Sequence, residues 1–353
     1  MKTTKHTLSL CPTCYLEITA TITTDERGAV MRKTCPHHGA TEALVERDPL
    51  YYLYASGLKA QSIYGGHFVD VTRTCQLRCK PCYYNLEKSD PLGMFSIEAI
   101  VNECATNINR APFILTGGEP TLHPEFLDVV KEVSKVGPVE LLSNGIKLSD
   151  QEFFNDVVPM ITDRNGVTHL NLSIHHKESG DWQTVIKLAR ADKIRIESAL
   201  IVVGSEYEFD KAIEMCRDMA DVVNTFRIKG ASRLWNAQLT SERVCVSDML
   251  RWLEKTEKPV VHVAMANNKP CFFNVLFDRM HLMLVSWYDA TNVDLLEIDC
   301  PPTYRARNGE VCNFVTTALI NEGMDKGFCK GQRIVAGASP KIDLRVREEM
   351  AEA

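Results

Sequence analysis

Between about residue 67 and residue 235, short apolar segments alternate with segments whose apolar residues recur at helical spacing. The predicted strands are His67–Val71, Pro112–Leu115, Val139–Leu142, His169–Ile174, Arg195–Val203 and Thr225–Lys229. Between the first two, Ser96 is placed to cap a helix with Ile97, Ile100, Val101, Cys104 and Ile108 on one face. Phe95 and Ile100 can staple its start. After the second strand, Phe126, Val129, Val130 and Val133 repeat the pattern, and Gly137 stops it. Strands that alternate with helices lie parallel in one sheet. Six such units predict an α/β fold, a partial (β/α)6 barrel of the TIM type.

The flanks differ. Residues 1–50 carry their own cysteine pattern, 51–66 read as a linker, and the barrel is expected over 67–235. The tail, 236–353, reads as a mixed α+β extension covering the barrel mouth, with a helix at Met249–Lys255 and strands at Val260–Ala264, Phe272–Arg279 and His281–Trp287. The chain has 353 residues, 45% hydrophobic and 24% charged, with a net charge of -6. That charge supplies no global basic field for nucleic acid. No stretch approaches the roughly 20 apolar residues of a membrane span. No signal-like segment opens the chain, so a cytoplasmic location is expected. Thirteen cysteines then point to metal or cluster ligation rather than disulfides.

Three of them stand at the end of the first strand, in Thr74-Cys75-Gln76-Leu77-Arg78-Cys79-Lys80-Pro81-Cys82. Thiolates at this spacing can wrap one corner of a four-iron cubane and leave one iron open. A structural zinc site that borrows a fourth ligand is the alternative. The second strand ends in Thr116-Gly117-Gly118-Glu119-Pro120. Glycines there permit close backbone approach, and Glu119 offers an acceptor for an ammonium. The third strand ends in Ser143-Asn144, and the fourth contains Ser173 and His175. Such strand ends face a barrel mouth.

The triad followed one unit later by Gly117–Pro120 resembles the radical S-adenosylmethionine (SAM) superfamily. Pro81 stands where that family usually has an aromatic residue. The resemblance implies a [4Fe–4S] cluster on Cys75, Cys79 and Cys82. It implies SAM contacts at Gly117, Gly118, Glu119, Pro120, Ser143, Asn144, Ser173 and His175. Ile201 and Gly204 would border the adenine. The implied chemistry is reductive cleavage of SAM to a 5′-deoxyadenosyl radical that abstracts a hydrogen, with methylation, carbon–carbon bond formation or rearrangement as outcome. The implied partners are a small-molecule or lipid-like substrate and an electron donor such as ferredoxin or flavodoxin. Arg227 and Lys229 could meet an anionic substrate or form a plain ion pair at the rim, and Trp287 could wall the pocket.

Near the start, Cys11-Pro12-Thr13-Cys14 and Cys35-Pro36-His37-His38 place two ligand pairs around one tetrahedral ion, zinc or iron, with His38 at the x2 spacing. Gly28 suits the turn between them. This block resembles the knuckle of a radical SAM subgroup that includes tetraether-lipid synthases and the pterin-methylating enzymes of methanogens. Cys271, Cys300, Cys312 and Cys329 number enough for a second cluster, but their gaps do not match compact auxiliary-cluster spacings. A non-catalytic zinc scaffold and a nucleic-acid-modifying enzyme are the competing readings.

Overall fold

The structure, a computed structural model, describes residues 4–58, 66–79, 82, 93–174, 182–231, 243–256, 258–263, 268–298, 303–305 and 310–325. His175, Cys300, Cys329 and Pro81 lie outside the described residues. Contacts divide the chain into two units, one of Met1–Gly57 with Tyr288–Ala353 and one of Leu58–Trp287. The sequence-based division at 235/236 therefore differs from the contacts: residues 236–287 group with the barrel, and residues from 288 onward with the knuckle.

The first unit is built on an antiparallel meander of β1 (Thr4–Leu10), β2 (Glu17–Asp25), β3 (Gly28–Cys35) and β4 (Gly39–Glu46). Gly28 sits at φ +120, and a Cβ there would meet the Glu46 carbonyl at 2.3 Å, so only glycine fits this turn. Asp48 caps α1 (Pro49–Ser56) through the Leu50 and Tyr51 N–H groups. Residues 289–295 return to the meander. Lys5 and Thr7 donate to Asp294, Asn292 donates to the Leu44 carbonyl, and buried Lys33 donates to Ser9 and to the Ala290 carbonyl. These ties are the physical reason the tail groups with the knuckle.

The second unit carries the predicted alternation. Its strands are β5 (His67–Thr72), β6 (Phe113–Gly117), β7 (Val139–Ser143), β8 (Val167–Ser173), β9 (Arg195–Val203) and β10 (Val223–Gly230), each parallel to the next. The helices between them are α2 (Ile97–Thr106), α3 (Phe126–Ser134), α4 (Gln151–Val157), α5 (Trp182–Ala191) and α6 (Glu206–Met219). Ser96 caps α2, and Phe126, Val129, Val130 and Val133 bury one face of α3. This is the partial (β/α)6 barrel.

Three further strands follow α7 (Val246–Glu254): β11 (Val260–His262), β12 (Phe272–Phe277) and β13 (Met280–Val285). β12 and β13 form a hairpin turned by Asp278 and Arg279, both at positive φ. β13 pairs parallel with β10, so the hairpin extends the barrel sheet. Pairing partners of this kind depend on tertiary placement and have no local sequence signal. In the first unit, β14 (Thr303–Arg305) pairs antiparallel with β15 (Val311–Asn313), and α8 (Phe314–Asp325) follows.

Candidate active site and metal centre

The site forms where β5, β6 and β7 end. Gly117 lies at φ +122, and its added Cβ would fall 2.2 Å from the Thr72 carbonyl oxygen. A Cβ on Gly118 would fall 2.3 Å from the Thr74 carbonyl oxygen. The close approach that these glycines permit is thus to the chain's own backbone. The Gly118 N–H donates to Thr72 at 2.7 Å and the Glu119 N–H to Thr74 at 2.8 Å. Thr72 Oγ1 also donates to the Gly93 carbonyl, and the Arg73 N–H to the same oxygen. The backbone leading into Cys75 is therefore held from both sides.

Gly117→Ala combines a disallowed φ with a backbone collision, and is expected to cost about 3 kcal/mol. In a domain of this size that lowers the melting temperature by roughly 6–12 °C, read by calorimetry.

Glu119 is 1% exposed and binds inward. Its Oε1 accepts from Thr121 Oγ1 at 2.6 Å, the Thr121 N–H at 3.3 Å and Ser143 Oγ at 2.8 Å. Its Oε2 accepts from the Asn144 N–H at 2.8 Å. Burial pushes this carboxyl up, and the Asn144, Thr121 and Ser143 donors work against that. Ser143 spends its one proton on Glu119 and accepts from the Gly145 N–H at 3.1 Å. Toward a ligand it keeps only acceptor capacity. Asn144 Oδ1 accepts from the Ile146 N–H, and its Nδ2 lies 4.0 Å from Cys75 Sγ. Pro120 is buried and opens a short 3-10 turn to Leu122. Ser173, part-buried, ends β8. Thr72, Thr74 and Thr121 were missed in the sequence because hydroxyl and carbonyl partners have no spacing signature.

Cys75, Cys79 and Cys82 are all part-buried, and the Cys82 N–H donates to the Cys79 carbonyl at 3.0 Å. Burial, with Cys82 and Cys75 adding, pushes the Cys79 thiol up to about 11. Burial likewise raises Cys75, against the Leu77 N–H on its sulfur. Such thiols need metal charge to become thiolates. Among the described residues, the only group whose ligand atoms all converge within 4.8 Å is the knuckle. The triad sulfurs do not converge within that distance.

The knuckle does close around one point. Cys11, Cys14, Cys35 and His38 converge, whereas His37 points its N–H at Cys35 Sγ and is not in the set. His38 Nδ1 lies 3.6 Å from Cys11 Sγ and 3.6 Å from Cys35 Sγ, and Cys14 Sγ lies 3.8 Å from Cys35 Sγ. A tetrahedral zinc with Zn–S of about 2.3 Å and Zn–N of about 2.0–2.1 Å has S–N edges of about 3.6 Å and S–S edges of about 3.8 Å. Tyr15 at φ 60 and Gly39 at φ +74 turn the chain after each ligand pair. Cys271 directly precedes β12 in the second unit, and Cys312 lies in β15 in the first. Both are buried.

Residues 3–47 match the family model described as the HMPTM N-terminal zinc ribbon domain, and residues 69–220 match that of the radical SAM superfamily. Residues 69–220 thus form a radical SAM superfamily domain, preceded in sequence by a zinc-ribbon domain with a convergent metal-ligand set. It is 31% identical over 179 residues to the 7,8-dihydro-6-hydroxymethylpterin dimethyltransferase of Methanocaldococcus jannaschii, covering 41% of this chain and 35% of that protein. It is 26% identical over 134 residues to the GTP 3′,8-cyclase of Clostridium perfringens, covering 36% and 39% respectively. The match thus spans less than two fifths of the length of each of these relatives. A crystal structure of Streptococcus suis SuiB bound to S-adenosylmethionine aligns at TM-score 0.43 and 12% identity, over 54% of this chain and 46% of that one. No helix among the described residues is long and apolar enough to cross a membrane.

Proposed function

We propose that this chain cleaves SAM reductively, uses the radical to abstract a hydrogen atom from a small fused heterocycle of the pterin type, and methylates that carbon with the methyl group of a second SAM, which leaves as S-adenosylhomocysteine, in the cytoplasm, with one electron for each SAM from a ferredoxin- or flavodoxin-like donor. The observation that carries the SAM step is the double anchoring of the Thr72–Thr74 backbone by Gly118 and Glu119, which delivers Cys75 to the mouth of β5–β7. Cys75, Cys79 and Cys82 would hold the [4Fe–4S] cluster. When bound, the cluster supplies the electron and SAM the carbon radical. Glu119 ties the ends of β6 and β7 together through Ser143 and Asn144, so both strand ends keep one position. Ser143 would keep an acceptor for an ammonium such as the SAM amino group, with Glu119 holding it in place. Gly117, Gly118, Pro120, Asn144 and Ser173 border the same mouth from neighbouring strands. The knuckle would hold zinc as a structural clamp, in keeping with its tetrahedral edges.

The substrate class draws support from two relatives whose names specify a pterin and GTP, each a fused nitrogen bicycle. A lipid-like substrate has no comparable support. The test is anaerobic incubation of the reconstituted chain with SAM, a low-potential reductant and 6-hydroxymethyl-7,8-dihydropterin, free and as its diphosphate ester, read by mass spectrometry. A pterin heavier by one or more methyl groups is expected. Formation of 5′-deoxyadenosine with the pterin unchanged would reject the substrate and keep the radical step.

A further inference from the structure

Along β10, Phe226 and Ile228 are 1% and 0% exposed and face the helices. Period-2 alternation turns Arg227 and Lys229 to the other face, the barrel lumen. Arg227 on β10 interacts electrostatically with Glu140 on β7 across this face. Lower in the lumen lies a polar layer whose members meet one another. Asn171 donates to Glu140, Ser198 donates to Asn171, and Arg227 opposes the burial of Glu140.

Lys229, one step closer to the mouth, is different. Its register neighbours are Val202 on β9 and Val285 on β13. Its Nζ stands 3.3 Å from the centroid of the Trp287 ring. Among the described residues it has no hydrogen-bond or ion-pair partner. Lys229 is part-buried, so its ammonium gives up hydration against the aromatic face, the ring returns part of it, and an anion would supply the rest. Burial, reinforced by Arg227, holds the Lys229 ammonium well below its ordinary range, which is the cost an anion would relieve.

We infer that Lys229, backed by Trp287, is the anchor for an anionic group, phosphate or carboxylate, carried by the substrate beside its reacting ring. This rests on the reading of the lumen as the substrate chamber. It narrows that reading to substrates with a charged arm.

The test uses the full metal-replete chain with SAM at saturation. Calorimetry follows inorganic pyrophosphate in one arm and tricarballylate in the other, at constant ionic strength. One saturating site for either anion is expected, weakened at least about thirtyfold in Lys229→Met and largely kept in Lys229→Arg. The arm that saturates identifies the anion's chemistry. Equal binding by Lys229→Met, no binding by the wild type, or displacement of the anion by SAM overturns the inference. A second measurement needs no variant: pyrophosphate or tricarballylate must protect Lys229 from reductive methylation by formaldehyde, read by peptide mass spectrometry, and unprotected labelling overturns it equally. Neither measurement involves turnover. A chain that cleaves SAM but binds no anion refutes this inference alone. A chain that binds the anion through Lys229 but cleaves no SAM refutes only the proposed function.

Discussion

Cys75→Ala is expected to take the anaerobically reconstituted protein from about four irons at the triad to background, and to remove its brown chromophore. The reason is positional. Cys75 directly follows the backbone that Gly118 and Glu119 grip, and its sulfur lies 4.0 Å from the Asn144 amide nitrogen. Cys79 and Cys82 depend on the same loop, so two ligands cannot hold a cubane that three were arranged to cap. Iron analysis and electron paramagnetic resonance of the reduced protein check this. Undiminished iron in the variant would mean that the triad does not carry the cluster.

The second large effect falls on the ribbon. Cys35 is 2% exposed and packs with Cys11 and Ile18, while Cys14 and Leu16 close the cluster. This apolar nucleus is small and is centred on the ligands themselves. A structural zinc contributes about 10–16 kcal/mol of apparent binding energy, comparable with the whole stability of a typical domain, about 5–15 kcal/mol. Cys35→Ser should therefore lose one equivalent of metal and most of the hydrogen-exchange protection of β1–β4 amides. Removal of the metal by a strong chelator should do the same to the wild type. Full protection in the metal-free protein would show that the meander stands on its hydrogen bonds and its ties to residues 289–295.

Much of this architecture was legible because period and spacing are local. Every barrel strand expected from its apolar run falls within a few residues of β5–β10, Ser96 caps α2 as its chemistry predicts, and α3 ends at Ser134, three residues before Gly137. What escaped depends on partners distant in sequence. Nothing in His281–Val285 tells that it pairs parallel with Thr225–Lys229. Nothing in Asp289 to Asp294 tells that it returns to Leu44 and Thr7. At the site, the residue types of Gly117, Gly118 and Glu119 were readable, but their immediate neighbours were not. Two glycines say that something approaches closely. Only the fold shows Thr72 and Thr74 there, and Glu119 occupied by Thr121, Ser143 and Asn144.

The central claim is that the triad, so held, makes this chain a SAM-cleaving enzyme. The most direct measurement is the amount of 5′-deoxyadenosine formed from SAM and dithionite by the anaerobically reconstituted protein, beside Cys75→Ala treated identically. The account predicts 5′-deoxyadenosine from the wild type and none above background from the variant. No product from a wild type that carries its iron, or equal product from both, would contradict it.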